Sequence, residues 1–201
     1  MNIYVIDHNT VHLPLIAKLV TEKCHDVSSI TFRKTHHNHD ELIDQADIII
    51  ISGGTWLVHL NPGTHKRLIK KLVESNKPIF GICLGAEALA TYFGATLVEL
   101  EHRVKGLIDI TSDSLIGRDA QVYSYHNWAI ESVPADLKVL ATSETGVEAF
   151  KHKKLPVWGV QFHPEAKRGK NQGHQFFEAF IREVSKNSEN ITLKVKGDVG
   201  A

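Results

Sequence analysis

Along the first half of the chain, short apolar runs alternate with segments in which apolar residues recur every three or four positions. Largely apolar runs predict strands at Ile3–Ile6, Ala46–Ile51 and Pro78–Ile82. The mixed segment Val27–Phe32 is expected to be a further strand. Apolar residues spaced three and four apart predict helices between and after them, with inward faces at Leu15, Ile16, Leu19 and Val20, at Leu68, Ile69, Leu72 and Val73, and at Ala86, Leu89, Ala90 and Phe93. This alternation predicts an α/β fold built on a doubly wound, mostly parallel sheet.

The pattern changes after Gly94. Short strand-like runs follow with few helical signals between them, at Leu97–Leu100, Gly106–Ile110, Gln121–Tyr123, Lys138–Thr142 and Val147–Phe150. These runs predict an antiparallel extension of the sheet. A last amphipathic helix is expected over Gly173–Val184. The polar remainder is expected to be a loose tail or an added edge strand over Ile191–Val195, so we predict one domain over residues 1–185 and a tail over 186–201.

Composition excludes some classes of function. Lys and Arg number 23 and Asp and Glu number 23, so the formal net charge is zero and gives no reason to expect nucleic acid or an anionic membrane as partner. No apolar run approaches membrane-spanning length. Two cysteines, one of them expected as a thiol, indicate a reducing compartment, and we predict a cytoplasmic protein.

The strongest chemical signal is the turn that follows the fourth predicted strand. Gly81-x-Cys83-x-Gly85 has the spacing of a nucleophile elbow, with sulfur in place of the hydroxyl. Such a turn places Cys83 at the carboxyl end of a strand and at the positive end of the next helix, where the field favours a thiolate. The alternative is a small buried cysteine in a tight connection between a strand and a helix.

A second motif supports the nucleophile. Val157–Val160 predicts a strand, and Gln161-Phe162-His163-Pro164-Glu165 follows it. Side chains of an extended chain alternate, so His163 and Glu165 are expected to project to the same side. A carboxylate beside an imidazole selects its tautomer and stabilises the imidazolium. Cys83, His163 and Glu165 are therefore candidates for a thiol acyl-transfer site.

Together the two motifs resemble the class I (triad-type) glutamine amidotransferases, and the likeness extends over nearly the whole chain. The family's fold implies a flavodoxin-like sheet, and its chemistry implies a catalytic triad of Cys83, His163 and Glu165. Ile51-Ser52-Gly53-Gly54 resembles the family's oxyanion loop, with Thr55 where Pro is frequent. By this resemblance, Gly53, Gly54 and the Leu84 amide hold the oxyanion.

Two further substrate contacts are implied by the resemblance. Tyr125-His126-Asn127-Trp128 is similar to the family's Tyr-His-Ser-Leu segment, and we expect it on a loop, where the backbones of Asn127 and Trp128 hold the amino-acid head of the substrate. His126 is expected either to support this contact or to be an ordinary loop histidine. Glu87 stands where the family typically has a substrate-contacting Gln. Its carboxylate can accept from an α-ammonium group but cannot donate, and it places negative charge near the thiolate.

The resemblance implies hydrolysis of L-glutamine to glutamate and ammonia through a thioester, with ammonia passed to a synthetase subunit of the GMP, anthranilate or aminodeoxychorismate type. Two alternatives are a free-standing γ-glutamyl hydrolase, to which Glu87 points, and a catalytically silent regulatory homologue. No cofactor is expected. The histidines of the polar segment Thr35–Asp40 are candidate metal ligands, but we expect no metal site because the chemistry gives a metal no role.

Overall fold

We analysed the protein as a computed structural model that describes residues 1–55, 62–113 and 119–197. The described residues form nine strands and five helices. In chain order they are β1 (Asn2–His8), α1 (Leu13–Lys23), β2 (Ser29–Lys34), α2 (Asp40–Gln45), β3 (Ile48–Gly54), α3 (Pro62–Glu74), β4 (Ile79–Ile82), α4 (Leu84–Tyr92), β5 (Thr96–Ser112), β6 (Asp119–Ser132), β7 (Leu137–Ser143), β8 (Gly146–His152), β9 (Val157–Val160) and α5 (His174–Gly197). The α/β class predicted from the sequence is confirmed.

A single sheet organises the chain, in the order β2-β1-β3-β4-β9-β8-β6-β5-β7. The first five strands in this order run parallel, and the other four join through antiparallel pairs. Apolar residues of α1 and α5 pack on one face of the parallel part. Those of α2, α3 and α4 pack on the other. Both faces are covered, which explains why β3 is apolar from Ile48 to Ile51 rather than alternating.

The antiparallel extension differs from the five short strands expected. The first two predicted runs belong to one 17-residue strand, β5, whose pairing with β6 is interrupted between Glu99 and Val104. In addition, β7 pairs with both β5 and β8, so the extension closes into a ring of four strands. Closure depends on contacts between residues distant in sequence, which local patterns do not reveal.

Two local expectations are wrong, and one helix is present that the sequence pattern does not predict. Residues 125–128 lie within β6 rather than on a loop. A short helix, α2, follows the polar histidine segment, where the sequence pattern predicts none. Finally, α5 continues to Gly197, so residues 191–195 are helical and not an edge strand. Its first turns bury Phe176, Phe177 and Phe180 against the sheet, and the helix continues past this anchor. Within the described ranges, no helix is both long and apolar enough to cross a membrane.

Candidate active site

The connection from β4 to α4 holds Cys83 in an unusual backbone conformation. Its φ is +50° and its ψ is −111°, a region that residues other than glycine rarely occupy. The Cys83 N–H donates to the carbonyl of Val160 at 2.8 Å, which ties the turn to the neighbouring strand β9. Backbone strain of this kind persists where surrounding contacts impose it, and it is concentrated at functional sites. The turn has the geometry that the glycine spacing predicts.

The sheet brings the second motif to this turn. Strands β4 and β9 are parallel neighbours with Ile82 opposite Val160, so the residues that follow them meet at one edge. His163 lies there, with its N–H donating to the carbonyl of Tyr123 at 2.8 Å. Its Nδ1 lies 2.8 Å from Glu165 Oε1. Cys83, His163 and Glu165 are all buried and form one cluster.

The thiol and the imidazole influence each other's ionisation. Burial raises the pKa of the Cys83 thiol, while His163 opposes that rise through its charge and a hydrogen bond. Burial also opposes the charged form of His163, but the charges of Cys83 and Glu165 outweigh it and raise the pKa of His163 well above 6.5. Each charge stabilises the other, but at Cys83 burial is the larger effect, so the pKa of the thiol stays raised. Such a pair provides a nucleophile and a proton donor together.

Glu165 serves two histidines, and the sequence pattern does not predict the second. His12, in the connection that leads into α1, places its Nδ1 3.1 Å from the same oxygen, Glu165 Oε1, that His163 contacts. Burial alone would raise the pKa of Glu165, but the charge of His163 and hydrogen bonds from both histidines lower it to about 2. Glu165 is thus a carboxylate that anchors His163. No local pattern marks His12, because its role depends on packing across 153 residues.

Glycine is required where β3 ends, beside the cysteine. A Cβ atom on Gly53 would lie 3.1 Å from His163 Cε1 and 3.3 Å from Cys83 Cβ. A Cβ atom on Gly54 would lie 2.0 Å from the carbonyl oxygen of His8, which no side chain permits. The predicted Gly53–Gly54 loop therefore lies against the Cys83–His163 pair. On the other side, the Leu84 amide interacts with the Cys83 sulfur and favours the thiolate.

The segment predicted to bind the substrate, which lies within β6, also approaches the cysteine. The Tyr125 carbonyl lies 3.9 Å from Cys83 Sγ, and Asn127 and Trp128 follow it along β6. Arg103, from the irregular part of β5, donates to Asn127 Oδ1 at 2.8 Å and to the Tyr125 hydroxyl at 2.6 Å. The interruption in the β5–β6 pairing thus places a guanidinium over this segment of β6.

His126 is a buried side chain rather than a loop histidine. Its Nδ1 lies 2.8 Å from the Trp128 carbonyl, an arrangement that places a proton on Nδ1. Burial lowers its pKa to about 4, so the ring is neutral at physiological pH. Its Nε2 is buried and has no hydrogen-bond partner among the described residues. We infer a structural role that fixes the β6 backbone beside Cys83.

Glu87, the residue that departs from the family pattern, lies in the first turn of α4. Its N–H donates to the Cys83 carbonyl at 2.9 Å, and its Oε1 accepts from Gln161 Nε2 at 2.9 Å. Burial raises the pKa of Glu87 to about 7, with Gln161 and the charge of His163 opposing the rise. The raised pKa favours the neutral carboxyl, which limits the charge repulsion expected from the sequence. Gln161 belongs to the second motif, but nothing in that motif predicts its contact with Glu87.

The histidine segment of residues 35–40 does not gather into a candidate metal site. His39 is buried and bonds the Tyr4 hydroxyl and the Thr35 carbonyl, which commits both of its nitrogens to the fold. Among the described residues, the group with ligand spacing is His12, His163 and Glu165, whose ligand atoms lie within 4.8 Å of one another. Those atoms are the ones that form the hydrogen bonds around Glu165 described above.

A thiol in a strained turn, an adjacent imidazole and a supporting carboxylate at the carboxyl edge of an α/β sheet define the class of thiol acyl-transfer proteins. The chain belongs to one family within that class, because the model of the class-I glutamine amidotransferase family matches residues 5–183. The resemblance given by the two motifs is thereby confirmed.

Individual relatives agree with this family. The glutamine-hydrolyzing GMP synthase subunit of Pyrococcus abyssi is 39% identical over 124 residues, which cover 58% of this chain and 65% of that protein. The chain thus spans less than two thirds of that relative's length. Aminodeoxychorismate synthase of Streptomyces griseus is 31% identical over 69% of this chain and 20% of its own. A crystal structure assigned to the corresponding GMP synthase subunit of Thermoplasma acidophilum superposes with a TM-score of 0.82 at 27% identity, covering 96% of this chain and 98% of the other.

Proposed function

We propose that the chain hydrolyses L-glutamine to glutamate and ammonia, and that the ammonia passes to a partner synthetase subunit. The observation that carries this proposal is the contact of Cys83, in its strained turn, with a His163 that is anchored by Glu165. Membership of the glutamine amidotransferase family supports glutamine as the substrate. No cofactor is needed for this chemistry.

In the first half of the reaction, the Cys83 thiolate attacks the side-chain carboxamide carbon of glutamine. The oxyanion that forms accepts hydrogen bonds from backbone N–H groups of the Gly53–Gly54 loop and of Leu84, and each such donor lowers the barrier by roughly 3–4 kcal/mol. His163 gives its proton to the leaving nitrogen, and ammonia departs as the thioester forms. The raised pKa of His163 suits this role, because the ring is protonated when the thiolate attacks.

In the second half, water replaces the ammonia. His163, now neutral, takes a proton from that water, and the resulting hydroxide attacks the thioester carbon. Collapse of the second oxyanion returns the electron pair to sulfur and releases glutamate. Glu165 does not change protonation in either half, because its pKa of about 2 keeps it ionised. It holds the ring of His163 and stabilises each imidazolium.

Substrate binding is assigned to groups around the thiol. The backbones of Asn127 and Trp128, on the strand whose Tyr125 carbonyl lies near Cys83, hold the amino-acid head. The Glu87 carboxyl accepts from the α-ammonium group, because a carboxylate pairs with a cation and its Oε1 is already held by Gln161. The matched proteins named as glutamine-hydrolyzing GMP synthase subunits support a synthetase as the recipient of the ammonia.

A second function is favoured by Glu87 itself. A carboxylate in place of an amide removes one donor from the pocket, and this change favours substrates other than free glutamine, such as γ-glutamyl amines or peptides. Under this alternative the same Cys83 thioester forms, but an amine leaves in place of ammonia. The two functions differ in the leaving group and in whether a partner stimulates turnover.

The experiment that tests the proposal is an assay of ammonia release from glutamine by the purified chain. Cys83→Ala is expected to abolish release, by at least about a thousandfold. Cys24→Ala is the matched control, because Cys24 is the other free, buried thiol and lies at the opposite end of α1 from His12. No release from glutamine, with Cys83-dependent cleavage of γ-glutamyl amines, would replace the proposal with the alternative. If neither glutamine nor γ-glutamyl amines react, the remaining alternative is a catalytically silent regulatory homologue.

We also propose the organisation and setting of the chain. The parallel strand order 2-1-3-4-9 supports a flavodoxin-like winding. The family match over residues 5–183 supports residues 1–185 as the amidotransferase domain and residues 186–201 as an appendage. Two unpaired thiols support a reducing compartment, the cytoplasm.

A further inference from the structure

Two buried residues stand opposite each other, Glu148 in β8 and Gln161 directly after β9. The Gln161 N–H donates to the Glu148 carbonyl at 2.7 Å, which continues the antiparallel pairing of β9 with β8. Residues opposed in this way project their side chains to the same face, with Cβ atoms about 5 Å apart. That face is the one that α4 covers, because Gln161 reaches Glu87 of α4. Glu148 is thus a neighbour of the Glu87 subsite.

The hydrogen bonds of these two side chains are incomplete. Glu148 is 1% exposed, and its Oε1 accepts from the hydroxyls of Ser143 and Thr145 at 2.8 and 3.3 Å. Its Oε2 is buried with no partner among the described residues. Gln161 is also 1% exposed and donates to Glu87, but its Oε1 is a second buried acceptor with no donor in the described ranges. Leaving two buried acceptors unpaired is costly, and a single proton between them removes both defects.

We propose that Glu148 is a positioning residue: its carboxyl is held protonated and donates to Gln161 Oε1, which directs the Gln161 N–H at Glu87. The inference rests on the proposed function for its consequence, since Glu87 is there assigned to the α-ammonium group of glutamine. The proton completes a chain of hydrogen bonds from the Ser143 and Thr145 hydroxyls through Glu148 and Gln161 to Glu87.

The groups around Glu148 favour the protonated form. Hydroxyls of Ser143 and Thr145 face it from the end of β7 and the turn that follows. The amide of Gln161 lies opposite it, directly after β9, and the titratable group beyond that amide is the Glu87 carboxyl of α4. Among the described residues, no Lys, Arg or His charge contributes to the pKa of Glu148. Burial accordingly raises the pKa of Glu148 to about 7, although the two hydroxyls oppose the rise.

Loss of that proton would reverse the amide of Gln161. An ionised Glu148 accepts only, so the Gln161 N–H would turn toward it and its carbonyl oxygen would face Glu87. Two oxygens facing each other repel, which moves the Glu87 carboxyl from its position. Binding of the substrate head should then weaken as pH rises through the titration of Glu148.

The test uses glutamine binding to a Cys83→Ala protein, measured by calorimetry from pH 6 to pH 8.5. We expect the dissociation constant to rise about tenfold over this range, the effect of one lost hydrogen bond. Adding Glu148→Gln should keep the low-pH affinity and remove this rise, because the glutamine amide donates at every pH. Glu148→Leu should bind weakly at every pH. Glu87 titrates in all three proteins, so the difference between them isolates Glu148.

The matched control is Glu144→Gln, the same chemical change at an exposed position of the β7–β8 turn. It should keep the pH dependence of the parent. Equal pH dependence with and without Glu148→Gln would overturn the inference. If no variant binds glutamine, the proposed function fails, and infrared spectroscopy then decides the inference alone. A protonated-carboxyl band at pH 6 that Glu148→Gln removes supports the protonated state, and an unchanged spectrum refutes it.

Discussion

Gln161 donates its side-chain N–H to Glu87 at 2.9 Å, and this bond fixes a residue that departs from the family pattern and lies beside the candidate nucleophile. The contact joins the second motif to the turn of the first through their side chains. The contact also links Gln161 to the ionisation of Cys83, because a negative charge on Glu87 raises the pKa of the Cys83 thiol. The consequences of this arrangement, and of the buried carboxyls near it, can be measured.

Replacing Glu87 by Gln should make Cys83 more acidic. Negative charge on Glu87 raises the pKa of the Cys83 thiol, and glutamine keeps the size and the bond to Gln161 while removing the charge. We expect the pH midpoint of Cys83 alkylation by iodoacetamide to fall by roughly one unit. Glu101→Gln, an exposed position, is the control and should leave the midpoint in place. An unchanged or higher midpoint in Glu87→Gln would show that Glu87 is neutral whenever the thiol ionises.

Replacing Glu165 by Gln should remove part of the acid sensitivity of the fold. The pKa of Glu165 falls from 4.5 to about 2 in the folded protein, so the ionised group contributes stability above pH 4.5 that is lost as pH falls toward 2. That contribution is about 3 kcal/mol. Urea unfolding between pH 2 and pH 6 should therefore show a shallower pH dependence in Glu165→Gln than in the parent. Parallel curves would contradict the lowered pKa.

Replacing Glu148 by Gln should stabilise the protein at alkaline pH. The pKa of Glu148 rises from 4.5 to about 7 on folding, so its contribution is fully present below pH 4.5 and is lost as pH rises through 7. Glutamine cannot ionise and keeps this stability, worth about 3 kcal/mol, at pH 8. We expect the urea midpoint of the variant to exceed that of the parent at pH 8 and to match it near pH 4. If the variant were less stable than the parent at pH 8, ionisation of buried Glu148 could not be what destabilises the parent at that pH.

Gly54→Ala should destabilise the fold and disrupt the loop beside Cys83. The added methyl would lie 2.0 Å from the His8 carbonyl oxygen, so β1 and β3 would have to separate. We expect a loss of about 3 kcal/mol or more in the free energy of unfolding. Gly94→Ala is the comparison: nothing lies within 4 Å of the added atom, so only the strain of its φ of +100° should cost stability, about 1–2 kcal/mol. If urea titration gave both variants the same loss in free energy of unfolding, the destabilisation by Gly54→Ala would come from the backbone and not from the clash with His8.

How far the sequence predicted the fold depended on whether a signal was local. The parallel strands and their helices were predictable, since a run such as Ala46–Ile51 or a stripe such as Leu68–Val73 carries its period within a few neighbouring residues. The fusion of two predicted strands into β5 and the closure of the extension through β7 were not. Those features depend on pairing between distant strands, and a strand's own residues do not specify its partner.

The candidate site shows the same difference between features set by neighbouring residues and features set by distant contacts. The sequence by itself determined the identities of Cys83, His163 and Glu165, and its glycine spacing determined the sharp turn at Cys83. His163 and Glu165 do meet, but through a turn at residues 164–165 and not through the alternation of an extended chain. Only the tertiary structure decided that His12 shares the carboxylate, that Gln161 holds Glu87 and that Glu148 is buried beside them. Local geometry follows from neighbours in the chain. Burial and hydrogen-bond partnership, which set the ionisation of every group at this site, follow from which distant segments the packing of the sheet and helices brings into contact.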